Sequence, residues 1–134
     1  MTNDRNVWAY FVIAGFPGSP EDITRLLGLA PDDSAGKGEK RRARGGQEYT
    51  VKDSYWEIHG RVSNDLSIDE HVVELLDRLS GLESRLRELD PLTVKKIEVV
   101  VRLRPEKARP GWYLDSETIR RLATLGIDVE MDIT

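Results

Sequence analysis

Ser116 to Ile133 reads SETIRRLATLGIDVEMDI, and the change of period in the middle of it decides the fold. Ile119, Leu122 and Leu125 recur at helical spacing, behind Asp115 as a helix cap. Gly126 stops that pattern, because glycine readily takes the left-handed turn that ends a helix. From Ile127 the spacing drops to two, with Ile127, Val129, Met131 and Ile133 set against Asp128, Glu130 and Asp132. Upstream, Val94 to Leu103 alternates in the same way, with Ile97, Val99, Val101 and Leu103 inward and Lys96, Glu98, Arg102 and Arg104 outward. The tail of the chain is therefore a strand, a helix and a strand.

The helix in this unit begins Glu117-Thr118-Ile119-Arg120-Arg121-Leu122, and the same E-x-I-x-R-L pattern occurs at Glu21-Asp22-Ile23-Thr24-Arg25-Leu26. The earlier copy follows Val7 to Ala14 (VWAYFVIA), apolar on both faces as a central strand requires. Ser19 caps it, Pro20 takes the first helical position and Gly28 ends it after Leu27. Both arginines, Arg25 and Arg121, fall on the outer side of their helices and are expected at the surface.

Between the two units, residues 30–47 form a glycine-rich basic loop or hairpin, with Gly45-Gly46 at its tip and Gln47 to Val51 returning as a short strand. Tyr55 to Val62 alternates, placing Trp56, Ile58 and Val62 on one face and Glu57, His59 and Arg61 on the other. After a polar break at Asn64 to Ser67, the pair Ser67 and Glu70 has capping-box spacing. A helix follows, its stripe formed by Ile68, Val72, Leu75, Leu79, Leu82, Leu86 and Leu89 over roughly six turns, with Gly81 as the point of kinking or splitting. Pro91 ends it. The expected fold is a single α+β domain over residues 1–134: a mixed four- to five-stranded sheet with three helices mainly on one face, a ferredoxin-like variant with an internal strand-helix-strand repeat.

Composition narrows the chemistry. With no cysteine among 134 residues there is no disulfide framework, thiolate nucleophile or zinc-thiolate site. The opening MTNDRN lacks a basic-then-apolar secretory signature, and the longest apolar run is far short of the about 20 residues a membrane span takes, so a cytoplasmic setting is expected. A net charge of -4 weighs against nucleic acid as the main partner.

The candidate sites are few. Gly36-Lys37-Gly38-Glu39-Lys40 lacks the spacing of a phosphate loop, since Pro31 stands where its first glycine belongs and no Ser or Thr follows Lys37. The cluster Lys37, Lys40, Arg41, Arg42 and Arg44 suits an acidic partner or a nucleic-acid backbone, but a charge run in a glycine-rich loop is more simply a solvated face. His59 stands between Glu57 and Arg61 on the polar side of its strand, and His71 flanks the apolar stripe of the long helix. Neither belongs to a metal-binding spacing. Asp128, Glu130 and Asp132 share a face but lie about 7 Å apart on a flat strand, so pairing with Lys96, Arg102 and Arg104 is the plainer account. No nucleophile, base or cofactor fingerprint is present, so no catalytic residue, cofactor or metal is assigned. The most suggestive feature is on the first strand. If Val7, Ala9, Phe11 and Ile13 face the helices, Trp8 and Tyr10 stand on the open side of the sheet among Glu57, His59, Arg61 and Arg102.

Several of these residues together resemble one family. The helix ending Leu27-Gly28, Pro31, Lys37-Gly38-Glu39, Trp56 in its strand, Glu70-His71 opening the long helix, and Leu125-Gly126 leading to Asp128 and Asp132-Ile133 resemble the bacterial domain of unknown function 4279 over nearly the whole chain. The chain departs from the pattern at Thr134, where an aromatic residue is expected. The resemblance implies a small bacterial domain, carries no activity or catalytic residue with it, and draws attention to Lys37, Glu39, Trp56 and His71 as a polar site. The expected function is a non-enzymatic interaction domain, of immunity or accessory type, using the open sheet face or the basic loop with a protein partner or a second copy. The alternatives are a small-molecule binder or enzyme with a pocket between residues 37–46 and the sheet, and a weak nucleic-acid binder.

Overall fold

A computed structural model describes residues 7–62, 67–103, 106 and 112–134 of the chain. Its centre is β1 (Val7–Ala14), which pairs antiparallel with two neighbours, β5 (Tyr55–His59) on one side and β6 (Val94–Val101) on the other. Outside β5 lies β2 (Asp33–Ala35), antiparallel, and outside β6 lies β7 (Asp128–Ile133), parallel, giving a mixed sheet in the order β2-β5-β1-β6-β7. A separate two-stranded sheet pairs β3 (Lys40–Arg42) with β4 (Glu48–Thr50). Among the described residues four helices complete the fold: α1 (Pro20–Leu27), α2 (Ile68–Arg78), α3 (Glu83–Arg87) and α4 (Ser116–Leu125). The class is α+β, as the periodicities indicate.

The core forms where alternating strand residues meet the helix stripes. Val7, Ala9, Phe11 and Ile13 of β1, Trp56 and Ile58 of β5, and Ile97, Val99 and Val101 of β6 pack against Ile23, Leu27, Val72, Leu75, Leu79 and Leu122. Helix ends follow local chemistry. The Ser19 N–H donates to the Asp22 carboxylate at 3.1 Å, the Ser67 N–H donates to Glu70 at 3.1 Å, and the Asp115 side chain accepts the Thr118 N–H at 2.8 Å. Gly28 and Gly126 end α1 and α4 with φ of 69° and 67°.

Several expectations need correction. The stripe read from Ser67 to Leu89 is divided at Gly81, the position expected to kink or split it, whose φ of 86° turns the chain between α2 and α3. Among the described residues four helices therefore stand where three were expected. Residues 30–47, read as loop and hairpin, also contain β2, three residues too short and polar to alternate visibly. The expected strand Tyr55–Val62 ends at His59; beyond it the Gly60 N–H still reaches the Ala9 carbonyl at 2.8 Å. Ile119, Leu103 and Ile133 were placed on the core side, yet they are 53%, 42% and 57% exposed. Thr118 is buried in α4 instead of Ile119. Asn64 and Arg104 lie outside the described residues.

The twin units share local structure but not pairing. In the second, β6 and β7 are parallel neighbours joined through α4, so no strand separates them as it would in the split β-α-β of a ferredoxin-like sheet. In the first, the strand that follows α1 is β2, and it pairs with β5 rather than with β1.

Candidate functional site: the open face of the sheet

The register of the strands sets the other face of the sheet row by row. One row runs Asp33, Glu57, Val12, Lys96, Asp128; the next His59, Tyr10, Glu98, Glu130; the third Trp8, Val100, Asp132. Carboxylates outnumber cations in these rows, and two large aromatics stand among them. Trp8 and Tyr10 are each half-buried, whereas Phe11 and Ile13 on the helix side are fully buried. Of the six residues singled out for this surface, five meet within it. The Tyr10 and His59 rings make an edge contact at 4.7 Å, His59 Nε2 lies 3.4 Å from Glu57 Oε1, and the Arg102 guanidinium sits 5.5 Å from the Trp8 ring centre. Arg61 is exposed beyond the end of β5, and its backbone N–H donates to Glu74 of α2 at 2.9 Å.

The electrostatics follow from burial. The Glu57 side chain is only 20% exposed, and desolvation raises its pKa, opposed by the hydrogen bond from His59. The Lys96 pKa is raised by its bond to Glu130 at 2.9 Å, a cross-strand pair that runs diagonally from the first row to the second. Next to this face the Tyr55 hydroxyl donates to Asp33 at 3.1 Å; burial first, then that bond, push its pKa up to about 12. The same Asp33 lies 3.6 Å from Arg41 of β3, and Arg41 also bonds Glu39 at 2.6 Å and the Ser34 carbonyl.

Sequence reasoning missed this Tyr55, Asp33 and Arg41 knot. Its signal was faint, since only the register of β2 with β5 brings Asp33 to Tyr55. It changes the view of the basic loop. Arg41 is consumed in holding the hairpin to β2, while Lys37, Lys40, Arg42 and Arg44 remain exposed.

The four residues of the other candidate site are divided between core and surface. Lys37 and Glu39 are exposed at the start of the hairpin. Trp56 is fully buried on the helix side of β5, and its indole N–H donates to Thr24 Oγ1 at 3.0 Å. His71 is 2% exposed, inside the core rather than flanking it. Its neighbours on α2 include Val72 and Leu75, and the side chain faces inward with them. Two shallow concavities lie elsewhere, one on α2 around Val73, Asp77 and Arg78, the other between α2 and α4 around Leu76, Ser80, Glu117 and Arg121. Arg121, expected at the surface, bridges α4 to α2 there through Asp77 at 2.9 Å. Among the described residues no three His, Cys, Asp or Glu side chains are grouped to hold a metal ion, and no helix is long and apolar enough to cross a membrane.

The family profile for the domain of unknown function DUF4279 matches residues 5–134. The chain belongs to that family. Comparison with curated proteins and with solved structures gave no match. The family description assigns no function, so the chemistry of this DUF4279 domain has to be read from its own residues.

Proposed function

We propose that this DUF4279 domain is a non-enzymatic interaction module, acting in a bacterial cytoplasm, whose working surface is the open face of the sheet. The observation that carries the reading is the half-buried pair Trp8 and Tyr10, flanked by Arg102 and His59, on a face against which none of the described helices packs. Interface hot spots are enriched in tryptophan, tyrosine and arginine, and a patch of them ringed by ionic groups has the anatomy of a contact surface. The aromatic contacts hold Trp8 and Tyr10 in place before binding, which lowers the ordering cost of association.

The pocket reading draws less support. Trp56 and His71 are committed to the core, and Lys37 and Glu39 stand at the surface apart from them. The test is Trp8→Ala beside Trp8→Glu, judged by partner capture and by sedimentation. Both variants are expected to fold and to lose capture or self-association at least tenfold. Unchanged capture and sedimentation in both would refute the proposal.

A further inference from the structure

The two edges of the sheet are finished differently. At one end β2 is three residues long and is held under the β3–β4 hairpin by Arg41. At the other end β7 is six residues long, contains neither proline nor glycine, and among the described residues has no strand beyond it. Thr134 donates its N–H to Val101 and accepts one from Leu103, both at 2.8 Å. With a period of two, Asp128, Glu130 and Asp132 likewise direct their backbone groups toward β6, and Val129, Met131 and Ile133 turn theirs outward. A run of unpaired backbone donors and acceptors is a template for another strand, and proteins ordinarily shorten, cover or kink such an edge.

The side chains select the occupant. Asp128, Glu130 and Asp132 form an acidic row on the open face; Lys96 engages Glu130, and among the described residues Asp128 and Asp132 have no ion pair. On the helix side Ile133 and Leu103 are 57% and 42% exposed at the same end of the strand, joined through the Leu103 to Thr134 hydrogen bond. A second copy pairing β7 with β7 across a two-fold axis would set acidic row beside acidic row, and like charges facing across a ladder destabilise it. We infer that the free edge of β7 accepts an extended segment of another protein, with basic residues facing Asp128 and Asp132 alternating with apolar residues that cover Ile133 and Leu103. This is strand addition, with backbone bonds supplying affinity and the alternation supplying selectivity. It does not rest on the Trp8 surface.

The probe is a labelled nine-residue peptide alternating lysine and valine, followed by fluorescence anisotropy against the whole chain. Binding is expected, weakened at least tenfold when glutamate replaces lysine and at least tenfold by Ile133→Pro. That proline removes one outward N–H and leaves the β6 ladder intact. Two N-methylated peptides report the pairing. Methylation on the valines blocks an antiparallel strand and methylation on the lysines a parallel one, so one of the two should lose binding while the other keeps it. In amide NMR the Val129, Met131 and Ile133 signals should shift and become protected from exchange, with the Trp8 and Tyr10 amides unmoved. Absence of binding, equal binding of the glutamate peptide, equal binding of both methylated peptides, or a protein that sediments as a dimer through this edge would each overturn the inference.

Discussion

Replacing Trp56 with phenylalanine tests the packing argument most directly, because Trp8 offers the same substitution on the opposite face of the same sheet. Trp56 has no exposed surface and donates one hydrogen bond to Thr24 Oγ1. Losing that bond costs about 1 kcal/mol net. The smaller ring leaves roughly 40 Å³ unfilled, about another 1 kcal/mol at the usual cavity coefficient, with lost transfer energy adding a fraction more. The sum is about 2–3 kcal/mol. At about 3 °C for each kcal/mol in a chain of this size, Tm should fall by about 6–9 °C. Trp8→Phe removes surface that is already partly in water and keeps an aromatic face for Arg102, so it should cost under about 1 kcal/mol. Urea unfolding followed by far-ultraviolet circular dichroism gives both values without relying on tryptophan emission. A double-mutant cycle with Thr24→Ala should return a coupling of about 1 kcal/mol for Trp56 and none for Trp8. Equal losses at the two tryptophans, or less than about 1 kcal/mol at Trp56, would refute the assignment of faces.

Tyr55, with its pKa pushed up to about 12, should ionise well above the ordinary tyrosine range in a spectrophotometric titration, and Asp33→Asn should move it back down. The native state keeps a proton that the unfolded chain has lost, so stability should fall as pH rises from about 10 to about 12, and Tyr55→Phe should remove that slope. In α4, Ile119→Ser should change unfolding free energy by no more than about 0.5 kcal/mol, as for other exposed positions, whereas Leu122→Ala should cost about 2–4 kcal/mol. A loss above about 1.5 kcal/mol at Ile119 would show that it is covered in solution.

Ile119 also shows where periodicity stops being informative. Ile119, Leu122 and Leu125 share a helical stripe, but how much of that stripe is buried depends on how α4 is rolled against its neighbours α2 and α3, a long-range property. Thr118 takes the inward position instead, and only the packed molecule distinguishes the two. The same holds for His71. Its place in the helix was legible, while its burial depends on which face of α2 meets β1.

The chain by itself determined whatever is encoded within a few residues. The borders of β1, α1 and α4 follow from capping side chains, glycine stops and runs of matching period, because those free energies are local. The alternation of Val94 to Val101 and of Trp56 with Ile58 likewise identified core faces, since one buried face leaves a sequence trace. Strand order, and with it the rows of the open face, was decided only by tertiary structure. Two copies of E-x-I-x-R-L with the same local form ended in different pairings, parallel neighbours in one and a detour through β2 and the hairpin in the other. Pairing joins segments far apart in sequence, and no local pattern specifies which hydrogen-bonding edge meets which. The meeting of Tyr10 with His59, of Tyr55 with Asp33, and the outer edge of β7, which has no neighbouring strand among the described residues, all belong to that second level.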